Sequence, residues 1–188
     1  MMEWILRDIL RTGRLLFEEG LVSARAGNLS VAFRDRIFIT RTGSNLGDLL
    51  PTDVLELPLQ ESDSLEERAS VELDLHRSIV LETGKRAVVH AHPPHAVALS
   101  LLREEIDPPD YEARAVLGEV PLLDPSKLPR PALIRKTAEL LRERKVVLLR
   151  GHGVFSAGTD LQEAYSYVST LEHSCRLTLL SYTKEGRK

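Results

Sequence analysis

The segment that most constrains this chain is a short apolar run that ends in two histidines and two prolines. Residues 86–92 read Arg-Ala-Val-Val-His-Ala-His, and Pro93 and Pro94 follow. The β-branched residues favour a buried strand, and the prolines predict where that strand ends. Residues two apart in a strand project from the same face, so we expect the side chains of His90 and His92 to lie together. We therefore expect two imidazoles on the same face of a sheet, at the end of one strand.

A third histidine, His152, lies much later in the chain and is flanked by glycines in the run Arg-Gly-His-Gly at 150–153. Glycine has no Cβ, so the backbone on either side of His152 can approach another strand closely. Three imidazoles with an open fourth position are typical of catalytic metal sites rather than closed structural ones. We therefore predict a divalent metal site at His90, His92 and His152, and the nitrogen ligands favour zinc.

Length and composition are those of an ordinary globular chain. The 188 residues predict a single domain over 1–188, with 43% hydrophobic and 28% charged residues. A net charge of −3 gives no reason to expect a nucleic acid or an anionic membrane as partner. No run approaches the roughly 20 apolar residues that span a bilayer, and the N-terminus does not have the pattern of a signal peptide. The lone Cys175 excludes an intrachain disulfide, so we expect a cytoplasmic protein.

The order of predicted elements indicates the fold class. Apolar periodicity, turn residues and prolines predict helices at about 5–20, 71–82, from 94, 132–144 and 160–182, and strands at 29–33, 36–40, 55–59, 86–92, 113–120 and 145–149. Alternating helices and strands predict an α/β protein, but the early hairpin argues against a purely parallel sheet. We expect a three-layer α/β/α arrangement around a mixed, mainly antiparallel β-sheet.

Glu72 is the carboxylate best placed to act beside such a metal. It lies at the start of the predicted helix that precedes the histidine strand, where helical backbone amides favour negative charge. A carboxylate beside zinc can bind it, or leave it and act as a base. Most glutamates in a first helical turn are simply favoured by the helix dipole, so the spacing alone leaves both interpretations open. His76 is one turn further along and either orients Glu72 or packs in the core.

Two loops of small residues predict an anion site. Residues 26–30 read Ala-Gly-Asn-Leu-Ser, and residues 40–44 read Thr-Arg-Thr-Gly-Ser. Together with Ser70 they offer backbone amides and hydroxyls that suit an anion such as phosphate. Turns favour the same residue types, and neither loop matches a nucleotide-binding phosphate loop. The loops therefore predict a phosphate site only in combination.

These motifs, in this order and spacing, resemble those of class II aldolases in the aldolase/adducin superfamily. The motifs are Ala-Gly-Asn-Leu-Ser at 26–30, Thr-x-Thr-Gly at 40–43, Ser-x-Glu-x-x-x-His at 70–76, His-x-His at 90–92, and His152. The resemblance covers about residues 5–182 and is strongest to the L-fuculose-1-phosphate aldolases. It implies a zinc-dependent enzyme, a lyase of carbohydrate metabolism, that cleaves a sugar 1-phosphate reversibly into dihydroxyacetone phosphate and an aldehyde.

The resemblance also implies roles for individual residues. His90, His92 and His152 match the zinc ligands, with one Zn²⁺ per subunit, and Glu72 matches the glutamate that binds the metal and then serves as acid/base. Tyr111 matches a proton donor from the neighbouring subunit of a homotetramer whose active sites lie between subunits. The remaining matched positions form the cradle for the substrate phosphate, and Val71 departs from the pattern because the family usually has a second serine there: Gly27, Asn28, Thr42, Gly43, Ser70 and Val71.

Other members of the superfamily leave alternatives open. A methylthioribulose-1-phosphate dehydratase retains the glutamate, whereas the ribulose-phosphate 4-epimerases usually carry aspartate at the position of Glu72. Adducin-like modules are non-catalytic and lose the metal histidines, all three of which this chain keeps. The resemblance therefore favours an aldolase, with the dehydratase next.

Overall fold

A computed structural model describes residues 2–185 and shows a mixed sheet of seven strands in the order β3-β2-β1-β4-β7-β6-β5 within that range. Only the β5–β6 pair is parallel, and every other neighbouring pair is antiparallel. The strands are β1 (Asn28–Phe33), β2 (Arg36–Thr40), β3 (Val54–Pro58), β4 (Ala87–Ala91), β5 (Leu122–Leu123), β6 (Val146–Leu149) and β7 (Gly153–Gly158).

Helices cover both faces of this sheet. They are α1 (Glu3–Glu18), α2 (Leu73–Thr83), α3 (Pro94–Leu102), α4 (Tyr111–Leu117), α5 (Arg130–Glu143) and α6 (Leu161–Glu185). Helices α2 and α5 pack over one face, and α1, α3, α4 and α6 pack over the other. Alternating residues of β4 divide between the two cores: Val89 belongs to the α1/α6 side and Val88 to the α2/α5 side. The predicted three-layer α/β/α class is confirmed.

One predicted element is wrong. Residues 113–120, predicted as a strand, form the larger part of helix α4 and the segment that follows it. The Asp110 side chain accepts a hydrogen bond from the Ala113 amide and so caps the helix. Ala113 and Leu117, four residues apart, are both buried, so helical spacing accounts for the apolar residues that suggested a strand.

The sequence prediction also missed strand β7 and the short strand β5. Strand β7 pairs with β6 and β4 and is buried along its whole length, so it lacks the polar alternation that marks a half-exposed strand. The other predicted elements agree with the structure apart from small shifts at their ends.

None of the helices within residues 2–185 is long and apolar enough to cross a bilayer. The single-domain organisation over 1–188 stays a prediction, because it extends beyond the described residues.

Candidate metal centre and anion pocket

Three imidazoles converge at the end of β4. His90 lies within the strand, His92 follows its last residue, and His152 lies in the tight turn between β6 and β7. The Nε2 atoms of His90 and His92 are 2.9 Å apart, and the His152 ring centroid is 5.0 Å from each of the other two. One ligand atom from each of the three residues lies within 4.8 Å of the others. This spacing suits a shared metal ion.

Gly153 permits the convergence of the three rings. A Cβ at this position would lie 2.4 Å from the Ala91 carbonyl oxygen and 2.9 Å from Cδ2 of His92. Any larger residue would therefore push β7 away from the end of β4 and separate His152 from the other histidines. The glycine seen in the sequence beside His152 thus has a steric reason.

The surroundings of His90 leave one nitrogen available as a ligand. Its Nδ1 lies 3.0 Å from the Val154 carbonyl oxygen, which favours the tautomer in which Nδ1 donates and Nε2 carries a free lone pair. The Phe155 ring stacks on the imidazole at a centroid distance of 4.0 Å. Burial, followed by the nearby His92 and His152, lowers the pKa of His90 well below its usual value.

Burial and then His152 lower the pKa of His92 to about 4. His90 and His92 are therefore neutral at pH 7, which is the form that binds a metal. The donor set of three nitrogens with a solvent-facing side fits an open site for a divalent cation such as zinc.

Glu72 lines the same pocket but is not one of the three clustered ligands. It is the residue that precedes α2, and its carboxylate Oε2 lies 3.5 Å from Nη2 of Arg130. The same Arg130 nitrogen donates to the Val71 carbonyl oxygen at 2.7 Å. The Arg130 side chain is 52% exposed, so this ion pair contributes only about 0–1 kcal/mol. Glu72 can leave it at small cost, and its role as ligand and base stays a prediction.

The His76 side chain orients Asn28, and both of its hydrogen bonds are to residues other than Glu72. The imidazole is fully buried, with Nδ1 2.6 Å from the Ser30 hydroxyl and Nε2 2.5 Å from Asn28 Oδ1. Since Asn28 Oδ1 can only accept, Nε2 carries the proton and Nδ1 accepts from Ser30. The Asn28 amide group is therefore left as a hydrogen-bond donor on the pocket wall. Asn28 is also paired across the sheet with His90, so this donor lies beside the clustered histidines.

The buried His76 predicts a pH-dependent stability. Burial lowers its pKa to about 3, whereas the unfolded chain has a pKa of about 6.5, so below pH 6.5 the unfolded state binds a proton that the folded state does not. The free energy of unfolding should fall by about 2 kcal/mol between pH 7 and pH 5 from this group alone.

Denaturant unfolding of wild-type and His76→Gln protein at both pH values checks this expectation. The variant should be less stable at pH 7, because it loses two buried hydrogen bonds, but its further loss at pH 5 should be about 2 kcal/mol smaller than the wild-type loss. The other histidines are present in both proteins, so their contributions to the pH dependence cancel in the comparison. An equal loss of unfolding free energy between pH 7 and pH 5 in the two proteins would contradict the lowered pKa of His76.

All six residues of the predicted cradle line one pocket of about 150 Å³ with the three histidines. Gly27 has a φ of +81°, and a Cβ there would lie 2.8 Å from the His90 carbonyl oxygen, so glycine is required where this loop crosses the histidine strand. Val71 is 73% exposed. The structure thus brings together the residues that the sequence predicted separately: Gly27, Asn28, Thr42, Gly43, Ser70, Val71, His90, His92 and His152.

Sequence reasoning missed three arginines around this pocket. Arg25 and Arg41 line it, and Arg130 pairs with Glu72 on its edge. Arg25 directly precedes the first glycine loop and Arg41 lies within the second, so a search for cations at those loops would have found both. Arg130 is far away in sequence, and no local pattern connects it with Glu72.

Two predicted or considered residues lie apart from the pocket. Tyr111 is the first residue of α4, is 89% exposed and does not line the pocket within one chain. The Nδ1 atom of His95 lies 2.6 Å from the Glu172 carboxylate, which also accepts from the backbone amides of His95 and Ala96 at the start of α3. His95 is therefore held by Glu172 of α6 and does not belong to the histidine cluster.

A larger surface hollow, of about 700 Å³, lies elsewhere and is bordered by residues 104–108 and β5. Histidine is absent from its described lining residues. We place the functional site by the chemistry of its donors, and the small pocket at the histidines has the convergent groups that the larger hollow lacks.

The family to which this chain belongs follows from a comparison with known families. The family model for the class II aldolase and adducin N-terminal domain matches residues 7–179. The chain belongs to the class II aldolase and adducin family.

Named members of this family resemble the chain along most of its length. It is 39% identical to an L-fuculose-1-phosphate aldolase from Thermus thermophilus, whose crystal structure matches with a TM-score of 0.90 and coverage of 98% of this chain and 97% of that one. An L-fuculose phosphate aldolase of Methanocaldococcus jannaschii is 31% identical over 93% of this chain and 96% of the relative.

Two further relatives carry names of other reactions. A probable bifunctional methylthioribose-1-phosphate isomerase/methylthioribulose-1-phosphate dehydratase of Nocardia farcinica is 32% identical over 91% of this chain, which spans only 34% of that protein. A 3-oxo-tetronate 4-phosphate decarboxylase of Haemophilus influenzae is 28% identical over 96% of this chain and 88% of the relative. The family therefore includes enzymes of more than one reaction type.

Proposed function

We propose that this protein is a zinc-dependent class II aldolase that cleaves a ketose 1-phosphate, similar to L-fuculose 1-phosphate, into dihydroxyacetone phosphate and an aldehyde. The observation that carries the proposal is the shared pocket, in which the three imidazoles adjoin a cradle of amides and hydroxyls with Glu72 at its edge. The names of the aldolase relatives support the same reaction. Bound zinc would supply a Lewis acid that stabilises the negative charge developed by the substrate.

The residues of the chain account for the other requirements of the reaction. The donor groups of Asn28, Thr42 and Ser70 and the backbone at Gly27 and Gly43 hold the phosphate and so fix the sugar relative to the histidines. Cleavage breaks one carbon–carbon bond, transfers a proton to the carbon that becomes part of dihydroxyacetone phosphate, and removes a proton from the hydroxyl that becomes the aldehyde. Glu72 donates the proton to the carbon, and Tyr111 accepts the proton from the hydroxyl.

Tyr111 can serve that oxygen only from another copy of the chain. It is 89% exposed and outside the pocket of its own chain. The pocket volume of about 150 Å³ is also below the roughly 300–1,000 Å³ of typical ligand sites. Both features support a site that a neighbouring subunit completes, and the resemblance to class II aldolases makes that assembly a homotetramer. Replacing Tyr111 with Phe should then lower turnover while leaving metal content unchanged.

The dehydratase is the second candidate, and the relative from Nocardia farcinica favours it. The name of the decarboxylase relative adds a third candidate reaction, also on a phosphorylated substrate. A non-catalytic adducin-like role leaves the convergence of the three imidazoles within 4.8 Å unexplained. Product analysis separates these functions.

The decisive experiment is a screen of the zinc-loaded protein against ketose 1-phosphates, including L-fuculose 1-phosphate and methylthioribulose 1-phosphate, and against 3-oxo-tetronate 4-phosphate. We expect dihydroxyacetone phosphate from a ketose 1-phosphate. Loss of water from methylthioribulose 1-phosphate would favour the dehydratase, and release of carbon dioxide would favour the decarboxylase. No product from any of them would overturn the aldolase assignment.

Replacing Asn28 with Asp should raise the KM for a phosphorylated substrate by roughly 10-fold or more. His76 holds Oδ1 at 2.5 Å, so the new carboxylate oxygen would replace the amide donor and repel the phosphate. The matched control is Asn45→Asp, because Asn45 caps the neighbouring turn through Gly47 and does not line the pocket. Steady-state kinetics of the two variants checks the prediction, and an equal KM in both would contradict the orientation of Asn28.

A further inference from the structure

The charges around the pocket are balanced except at one residue. Besides the three histidines, three acidic or basic residues line it: Arg25, Arg41 and Glu72. Arg41 lies 3.0 Å from the Asp53 carboxylate, and Glu72 pairs with Arg130. The guanidinium of Arg25 has no hydrogen-bond or ion-pair partner among the side chains that the structure describes, those of residues 2–181. Arg25 is therefore the charged side chain at this pocket that is left without a partner among the described residues, since Arg41 and Glu72 each have one.

The backbone places this guanidinium over the cradle. Arg25 lies in a turn closed by the hydrogen bond from the Ala26 amide to the Ser23 carbonyl, directly before the Gly27 loop. Its Nη2 atom lies 3.9 Å from the position that a Cβ on Gly43 would occupy. Arg25 therefore bridges the two glycine loops, one through its backbone and the other through its side chain.

We infer that Arg25 is a substrate-binding residue that closes over the phosphate of a phosphate monoester and compensates for the missing hydroxyl at Val71. The inference rests on the proposed function, in which the cradle holds that phosphate. Val71 offers the ligand no side-chain donor, whereas a guanidinium offers paired N–H donors that match phosphate oxygens.

The charge of the ligand explains why an arginine suits this position. A phosphate monoester carries about −1.5 to −2 charges at pH 7. The amides and hydroxyls of the cradle are neutral donors, and Arg41 is already paired with Asp53. Arg25 is exposed and free to form a charge-assisted pair when the phosphate arrives. It thereby favours a dianionic group over a neutral sugar in the same cradle.

The test is calorimetric titration of inorganic phosphate into the zinc-loaded protein and four variants. Arg25→Gln removes the charge, and Arg25→Lys keeps the charge but not the fork of donors. Thr42→Val reports on the cradle itself by removing one exposed hydroxyl. Arg7→Gln is the control, because it makes the same chemical change on α1 at a different surface pocket.

We expect Arg25→Gln to raise the Kd for phosphate roughly 10- to 100-fold, with a smaller increase for Arg25→Lys and less than about a twofold change for Arg7→Gln. If Thr42→Val weakens phosphate binding and Arg25→Gln does not, the inference about Arg25 is overturned. The cradle would then still be supported as the phosphate site. If phosphate binding is absent, or is unaffected by both Thr42→Val and Arg25→Gln, the cradle itself fails and the phosphate site of the proposed function fails with it.

Discussion

Replacing His92 with Ala is expected to reduce the metal content of the purified protein from about one zinc ion per chain to nearly none. The three clustered imidazoles provide all the protein ligands that the structure brings together among its described residues, so removing one leaves only His90 and His152. Elemental analysis after dialysis against zinc measures the effect directly. Turnover should fall with the metal.

The thermal unfolding midpoint provides a second measurement. A ligand that binds only the folded state stabilises it, so added zinc should raise the midpoint of the wild-type protein by several degrees and that of His92→Ala hardly at all. His173→Ala is the control, because His173 is an exposed residue of α6 outside the cluster. A wild-type protein that stays metal-free under these conditions would overturn the metal assignment.

Replacing Glu72 with Gln is expected to lower kcat by about 10²- to 10⁴-fold, the usual contribution of a positioned acid or base. The amide preserves the shape of the side chain but cannot exchange a proton. The fold should survive, because Glu72 precedes α2 without a side-chain capping bond and its pair with Arg130 is partly exposed.

Glu67→Gln makes the same chemical change a few residues earlier, at an exposed position, and should leave kcat unchanged. Zinc content and circular dichroism of Glu72→Gln should match those of the wild-type protein. An unchanged kcat for this variant would remove Glu72 from the acid/base role. A large loss of zinc would instead identify it mainly as a metal ligand.

Much of the site was predictable because its motifs are local. Side chains alternate between the two faces of a strand, so His90 and His92 lie on one face. The glycine loops and Ser70 have compositions typical of anion sites. The error at 113–120 arose because a short apolar run is compatible with either a strand or a helix, and the capping contact of Asp110 decided for the helix. Strand β7 was missed because uniform burial removes the alternation by which strands are recognised.

The α/β class, the two histidines on one face and the family motifs could all be read along the chain before it folds. The folded chain was needed to learn that His76 holds Asn28, that Arg130 holds Glu72 and that Arg25 lacks a partner among the described residues. The difference comes from the range of the interactions. Residues two or four apart are related by the backbone geometry of one strand or helix. Residues far apart in sequence meet only through sheet register and packing, as Asn28 and His90 do across β1 and β4.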